Sequence, residues 1–296
     1  VFLLLTLIWG TTWAAIRIGL EGIPPFTGVA LRFAIAAMLL LIVGRMMRVR
    51  FGRERGEIAL WIVNGLLAFC ASYGIVYWAE QWVPSGLAAV LFATYPLIVA
   101  ILAHFAIPGE RLNPVSVAGI LLGFAGVAVI FSEDFEKLGG EMVALASLVM
   151  LGSPLVAAIA SVAIKKWGAG IHPFSLTAVP MLMTAVIMGA LAAVFERGRP
   201  LIFDRTSVGA LLYLAVFGSA VTFSLYYWLL SHISVTRVSL IAYTIPLVAV
   251  AVGAGFLNEP ITARTLAGSL LVVLGVALAV RSRPKSYPRK VGDSAG

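Results

Sequence analysis

The sequence writes one apolar pattern twice, and what it repeats fits only a membrane. Residues 72–100 read SYGIVYWAEQWVPSGLAAVLFATYPLIVA, and residues 222–250 read TFSLYYWLLSHISVTRVSLIAYTIPLVAV. Tyr77-Trp78 recurs as Tyr227-Trp228, and Thr94 with Pro96 recurs as Thr244 with Pro246. Upstream, WAAIRIGLEGIPPF (13–26) matches SVAIKKWGAGIHPF (161–174); downstream, AGILLGFAGVAVI (118–130) matches AGSLLVVLGVALA (267–279). The offset stays between 148 and 150 residues throughout. Each half holds five apolar stretches of membrane-crossing length. Because five is odd, the second half enters the bilayer upside down, the inverted-repeat plan of secondary transporters. The expected fold is an all-α membrane protein of ten transmembrane helices in two inverted five-helix repeats, over 1–136 and 137–281. A disordered basic cytoplasmic tail is expected over 282–296.

Composition agrees. Of 296 residues, 61% are hydrophobic and 11% charged, too little charge for a soluble domain. The expected spans are 1–19, 25–44, 57–79, 84–106, 114–131, 141–164, 173–195, 207–230, 235–256 and 262–280. All are read as helices, because lipid offers no partner to an unpaired backbone group. VFLLLTLI (1–8) is followed by no small-residue cleavage site and reads as the trimmed start of the first span rather than a signal peptide. The net charge of +8 would suggest nucleic acid in a soluble chain, but the positive-inside rule accounts for it here. One set of loops, with the tail, carries fourteen Lys and Arg, including Arg45, Arg48, Arg50, Arg53 and Arg55; the other set carries six. The richer side is cytoplasmic, so both termini face the cytoplasm.

Catalytic motifs are absent from the sequence: no HExxH, no GxSxG, no P-loop. The lone Cys70 permits no disulfide within the chain. His104, His172 and His232 fall near span ends and read as structural, so neither metal nor cofactor is expected. Arg32, seven residues into the second span, is the arginine at depth. An intramembrane charge faces a cavity or a partner, and Glu80 is the nearest candidate. The pair reads either as a structural tie between the second and third spans or as an outer gate and carboxylate anchor. Its repeat counterparts are Pro180 and Leu230, so it is one-sided. No Asp or Glu lies at mid-membrane depth, which favours facilitated transport over proton exchange.

Polar aromatic residues take the place of charges. Tyr73, Tyr77 and Glu80 share one helical face, and Phe223 with Tyr227 repeats it. Trp9 and Trp13 stand four apart, as do Ser239 and Tyr243. Stripes from several spans converge on an amphipathic cavity, for which Trp9, Trp13, Tyr73, Tyr77, Tyr95, Phe223, Tyr227 and Tyr243 are the candidates. An interfacial aromatic belt is the plainer reading of any one of them. Such walls suit a zwitterion with an apolar side chain, or a flat organic cation. Pro96, Pro154 and Pro246 are candidate hinges, with Pro180 a fourth interruption, and Thr94 and Thr244 stand ready to bond the loosened backbone. Gly119, Gly123 and Gly126 in the fifth span, with Gly268 and Gly275 in the tenth, predict contact between those two helices rather than dimerisation.

Several short motifs occur in a fixed order: Trp9-Gly10, Pro25 with Leu31-Arg32-Phe33, Tyr73 and Tyr77, Pro84, Tyr95-Pro96-Leu97, Gly109-Glu110, Ile245-Pro246-Leu247 and Asn258-Glu259-Pro260. In that order and duplicated, they resemble the drug/metabolite transporter superfamily, specifically its EamA-type ten-span members, and within it the YddG-type amino-acid exporters. The resemblance implies a basket of ten helices, alternating access, and export of amino acids, aromatic and other apolar ones, across a bacterial inner membrane. It also implies roles for Tyr77, Tyr95 and Trp13 at the solute. A multidrug or other small-metabolite exporter is the alternative. A phosphorylated substrate would favour several interior cations where this chain offers only Arg32. An intramembrane enzyme or scaffold ranks third. Expected partners are a small-molecule substrate and membrane lipid, with no nucleic acid, and a monomeric state with a dimer as the alternative.

Overall fold

The computed structural model describes residues 1–52, 54–130, 132, 141–256 and 262–281. The expected tail over 282–296, the Asn258-Glu259-Pro260 motif and most of the acidic loop after Ser132 lie outside the described residues. Among the described residues the chain is helical, without a strand. In order the apolar helices are α1 Phe2–Leu20, α2 Pro25–Met46, α3 Arg55–Ala79, α4 Leu87–Ala106 and α5 Pro114–Ile130. They continue as α6 Met142–Trp167, α7 Ser175–Phe195, α8 Arg205–His232, α9 Val235–Val248 and α10 Ala263–Arg281. Eight of them are long and apolar enough to cross a bilayer; α5 and the stretch given for α9 are shorter, and the helix of α9 continues to Phe256.

Burial is inverted relative to a soluble protein. Arg32, Asn64, Glu80, Ser153, Thr184 and Ser219 are buried, whereas Met46 is 78% exposed, Phe105 83% and Leu148 69%. Apolar side chains outward and polar groups inward are what a hydrocarbon solvent selects.

Small residues decide the closest contact. Helices α5 and α10 pack along their length, and a Cβ added at Gly119 would fall 2.6 Å from the Ala279 nitrogen. One added at Gly126 would lie 2.7 Å from the Gly268 carbonyl, and one at Gly275 2.4 Å from the Gly123 nitrogen. Side chains are excluded there because backbone meets backbone. The glycines of both helices are therefore occupied with each other, as the sequence spacing predicts.

Charged side chains seal helix ends. Arg17 at the end of α1 donates to the Glu80 carbonyl at the end of α3. Lys165 near the end of α6 donates to the Leu230 and Ile233 carbonyls that end α8, at 2.8 Å each. Arg17 matches Lys165 in the repeat, and Glu80 matches Leu230, so matched positions make the same contact. Carboxylates do the converse at N-termini. Glu196 accepts from the Phe26 and Thr27 amides at 2.8 and 2.9 Å, and Glu110 from the Val235 and Thr236 amides at 3.1 and 3.3 Å.

Five helices are irregular inside. Helix α3 is π-helical over Asn64–Ala71 and α8 over Val216–Val221, segments that overlap when the halves are aligned. Helix α4 is interrupted at Ala93-Thr94, just ahead of Pro96, and α6 at Leu151, just ahead of Pro154. A proline gives its i−4 carbonyl no donor, so the break falls upstream of it. Helix α9 departs from expectation. Its break is at Leu240, with Tyr243 N donating back to the Leu240 carbonyl at 3.0 Å, and Pro246 lies inside the continuous helix Ile241–Phe256. Pro180 likewise lies inside α7. Thr94 and Thr244 each donate to a carbonyl three residues back, Leu91 at 2.7 Å and Ile241 at 2.9 Å. The proline-hinge expectation for α9 is thus corrected in position: a turn of i→i−3 bonding bends this helix six residues before its proline.

The glycine contact yields a signed prediction. Helix propensity alone would make Gly119→Ala stabilising by about 1 kcal/mol. Backbone contact at 2.6 Å reverses the sign, and overpacking of this kind costs about 1–3 kcal/mol. Thermal unfolding in detergent should therefore show Gly119→Ala melting below the parent. Gly189→Ala, where nothing lies within 4 Å, should melt at or above it.

Candidate substrate cavity

Side chains from α1, α3, α4, α6, α8 and α9 enclose a central cavity of ≈ 110 Å³. That holds several waters, each needing roughly 10–15 Å³, so it is more than a packing gap. Among the described residues no Asp, Glu, Lys, Arg or His lines it. Trp9, Trp13, Tyr73, Tyr95, Phe223 and Tyr227 all do. Both members of several repeat-matched pairs line it: Trp9 and Ala157, Trp13 and Ser161, Tyr73 and Phe223, and Tyr95 and Ile245. The rings form one connected cluster. Phe223 lies 5.4 Å from Trp9, 6.0 Å from Tyr73 and 6.3 Å from Tyr226, mostly edge to face, the arrangement ring quadrupoles favour.

Two candidates are elsewhere. Tyr77 is buried behind the wall, its ring edge against Gly28 and its hydroxyl accepting from Arg32 Nη1 at 3.2 Å. Tyr243 turns away from the cavity onto Gly123 of α5; a Cβ there would meet its ring at 2.6 Å. Tyr73 and Tyr77 share the regular helical stretch Ser72–Ala79, so spacing alone does not separate them; Tyr77 is engaged by Arg32 and Gly28 of α2 instead. The bend at Leu240 separates Ser239, which lines the cavity, from Tyr243, which does not. The Tyr243 correction traces to a backbone irregularity that a uniform helical wheel omits.

Tyr226, Ser161 and Phe92 line the cavity and were not among the sequence candidates. Tyr226 has no aromatic repeat partner, since its match is Val76. Ser161 is the match of Trp13, and that correspondence was a usable signal. Asn64 is a further addition behind the wall. Its amide nitrogen donates to the Leu176 carbonyl at 2.6 Å, and its oxygen accepts from the Tyr227 hydroxyl at 2.7 Å.

Arg32 is the electrostatic centre behind the wall. It is 1% exposed. Nε donates to Ser219 Oγ at 2.7 Å and Nη2 to the Gly218 carbonyl at 3.0 Å, both in the π-helical segment of α8. The guanidinium carbon lies 4.7 Å from the Tyr73 ring centre. Glu80 is not its hydrogen-bond partner. Both Glu80 carboxylate oxygens are buried without one, and α8 takes the donors instead. The expected tie between α2 and α3 by an Arg32–Glu80 pair is therefore replaced by a tie from α2 to α8, with Tyr77 and Tyr73 supplying the α3 contacts. Among the described residues no cluster of His, Cys, Asp or Glu has metal-binding geometry.

Comparison with known proteins gives the family context. The model of the EamA-like transporter family matches residues 1–132 and 144–281. The chain is 28% identical to the uncharacterized transporter YoaV of Bacillus subtilis over 92% of each chain. It is 27% identical to protein PagO of Salmonella typhimurium over 99% of this chain and 96% of that one. To the uncharacterized inner membrane transporter YedA of Escherichia coli it is 29% identical, over 87% and 82%. A solved crystal structure at 21% identity superposes with a TM-score of 0.81 over 94% of each chain, a likeness of fold.

The Arg32 site separates two substitutions that an ion pair would link. Arg32→Leu leaves the Gly218 carbonyl with only the long 3.4 Å bond from Trp9 Nε1 and should lower stability by about 1–3 kcal/mol. Glu80→Gln removes a carboxylate that accepts no hydrogen bond and should leave the melting temperature unchanged or raised. Thermal unfolding of both, with the double variant, checks this. Equal losses that fail to add would restore the ion pair.

Proposed function

The chain belongs to the EamA-like transporter family, and from that premise we propose a secondary carrier that exports amino acids, aromatic and other apolar ones foremost. Solute passes by alternating access through the central cavity. The observation that carries this reading is the cavity wall: aromatic and hydroxyl-bearing, without a charged side chain among the described residues, and assembled from both halves. A wall of that kind suits a solute of zero net charge with an apolar body. The narrower likeness to YddG-type exporters rests on the same residues. Flat organic cations are the second reading, favoured by the number of ring faces.

The architecture proposed is ten crossing helices in two inverted repeats, 1–136 and 137–281. Matched contacts by Arg17 and Lys165, overlapping π-helical segments and matched cavity positions support it. So does a family match that falls in two stretches. The setting proposed is a bacterial inner membrane with both termini cytoplasmic, the chain acting as a monomer on small solutes. Lys and Arg placement supports the orientation, and the name of the Escherichia coli relative supports the membrane. Pro96, Pro154 and Pro246 remain the proposed hinge residues, with the bends themselves upstream.

Two experiments test this. Once Cys70 is replaced, a cysteine at Ser132 should react with an impermeant maleimide from outside, and one at Arg50 only after permeabilisation. The reverse pattern would sink the orientation. In proteoliposomes, counterflow of aromatic amino acids should exceed that of quaternary ammonium dyes and proceed without an imposed pH gradient. Dye counterflow alone would move the assignment to the second reading, and pH-driven accumulation abolished by a protonophore would end the facilitator view.

A further inference from the structure

Most donors on the cavity wall have an acceptor within the protein. Thr12 donates to the Trp9 carbonyl at 2.8 Å, Ser239 to the Thr236 carbonyl at 2.7 Å and Tyr227 to Asn64 Oδ1 at 2.7 Å. The Trp9 indole donates to the Gly218 carbonyl, and Ser72 pairs with Ser153 at 2.8 Å. Three wall donors differ. Tyr95 and Tyr226 donate to Ser161 Oγ at 2.8 and 3.0 Å, and the 2.7 Å contact between their own oxygens draws on a tyrosine proton. The Ser161 proton is therefore left without an acceptor among the described residues. So are the Trp13 indole N–H and the Tyr73 phenol O–H, both on the same wall. Unused lone pairs are common in proteins, whereas an unused donor is rare. What the wall lacks is an acceptor.

Charge decides which acceptor fits. Arg32 is buried, and it donates only to neutral groups: Ser219 Oγ, the Gly218 carbonyl and the Tyr77 oxygen. The Glu80 carboxylate accepts no bond from it. Among the described residues Tyr73 is the wall ring with a cation over it, the guanidinium carbon lying 4.7 Å from the ring centre. The phenol with a free proton thus stands beside a buried cation that lacks a hydrogen-bonded anion, and buried charges are ordinarily paired. We infer that Tyr73, with Arg32 behind it, is a carboxylate-binding subsite, so that the cavity takes solutes bearing a carboxylate in preference to amines without one. This rests on reading the cavity as the solute site. A carboxylate only accepts, through two oxygens, so it can take the Tyr73 proton and still receive a second wall donor. Hydrogen bonds to an ionised acceptor are roughly twice as strong as neutral ones. An ammonium at Tyr73 would set its donors against a free donor and its charge against a like charge. Arg32 does not itself line the cavity, so it is a positioning residue that backs the phenol and supplies the field.

Three probes sharing a phenyl ring and a short chain test this: 3-phenylpropionate, its neutral amide and phenethylamine. Binding is measured by calorimetry on the full chain in lipid nanodiscs at neutral pH. Phenylpropionate should bind at least about tenfold more tightly than either other probe, the difference expected for one hydrogen bond to a charged group. The amide keeps an acceptor oxygen and lacks the charge, so it separates a carboxylate site from a site for any acceptor. Tyr73→Phe keeps the ring and removes the donor. It should weaken phenylpropionate about tenfold and leave phenethylamine unchanged. Arg32→Gln keeps an amide donor for α8 and removes the charge. It should bring phenylpropionate down to the level of the amide without weakening the amide, whereas a purely structural role would weaken all three alike. Amide or phenethylamine binding as tightly as phenylpropionate would overturn the subsite. So would a folded Tyr73→Phe protein that binds phenylpropionate like the parent, or a folded Arg32→Gln protein that loses all three probes equally. Should either variant fail to fold, the order of the three probes on the parent decides alone. Counterflow of phenylalanine separates the two claims. The predicted binding order without counterflow removes the carrier reading and keeps the subsite; counterflow with a binding order that does not favour the carboxylate keeps the carrier and removes the subsite.

Discussion

A backbone group at membrane depth must find its partner in the protein, and Arg32 answers that requirement where it is most acute. The π-helical segment of α8 widens the turn and leaves the Gly218 carbonyl facing sideways. Arg32 reaches across from α2 and takes it, with Ser219 Oγ, and its flat face backs Tyr73. A guanidinium suits this place because its planar fork donates in several directions at once. Without that contact α8 would have to close its irregular turn. Phe223, Tyr226 and Tyr227, all just downstream, would then change their angle to the cavity.

The other half meets the same requirement with different chemistry. In α3 the π-helical segment begins at Asn64, and the Gly65 carbonyl accepts from Thr184 of α7 at 3.0 Å. Pro180, the match of Arg32, lies against Gly65, where an added Cβ would come within 3.3 Å of the Pro180 carbonyl. One half therefore supports its irregular helix with a cation and the other with a hydroxyl and close backbone contact. The two are alike in backbone demand and unlike in charge. Irregular turns of this kind recur at functional sites because they aim side chains that a regular helix would point elsewhere.

How much of this is readable in the sequence follows from which interactions are periodic. Helix existence, the glycine contact of α5 with α10, and six aromatic wall positions follow from spacing and duplication, because regular helices preserve both. Tyr243 leaves the predicted face because a tight turn at Leu240 shifts everything downstream of it, and Tyr77 leaves the cavity because Arg32 of α2 engages its hydroxyl. The backbone irregularities have no composition mark: Asn64–Ala71 reads as an ordinary apolar run. The partner of Arg32 was unreadable for the same reason. Glu80 was the evident charge in sequence, yet the winning acceptor was a backbone carbonyl, which every residue has. Ser161 was readable through its match to Trp13 and was passed over because a serine among alanines carries no aromatic signal.

Exclusion of charge from the cavity is the last consequence of this arrangement. The chain keeps its deep cation one ring behind the wall and directs the protons of Thr12, Ser239 and Tyr227 to two carbonyls and an amide oxygen. In a medium of low dielectric a fixed protein acceptor satisfies a hydroxyl whether or not a solute is present. The uncharged wall thus rests on acceptors within the protein, the Trp9 and Thr236 carbonyls and Asn64 Oδ1, as much as on the side chains that face the cavity.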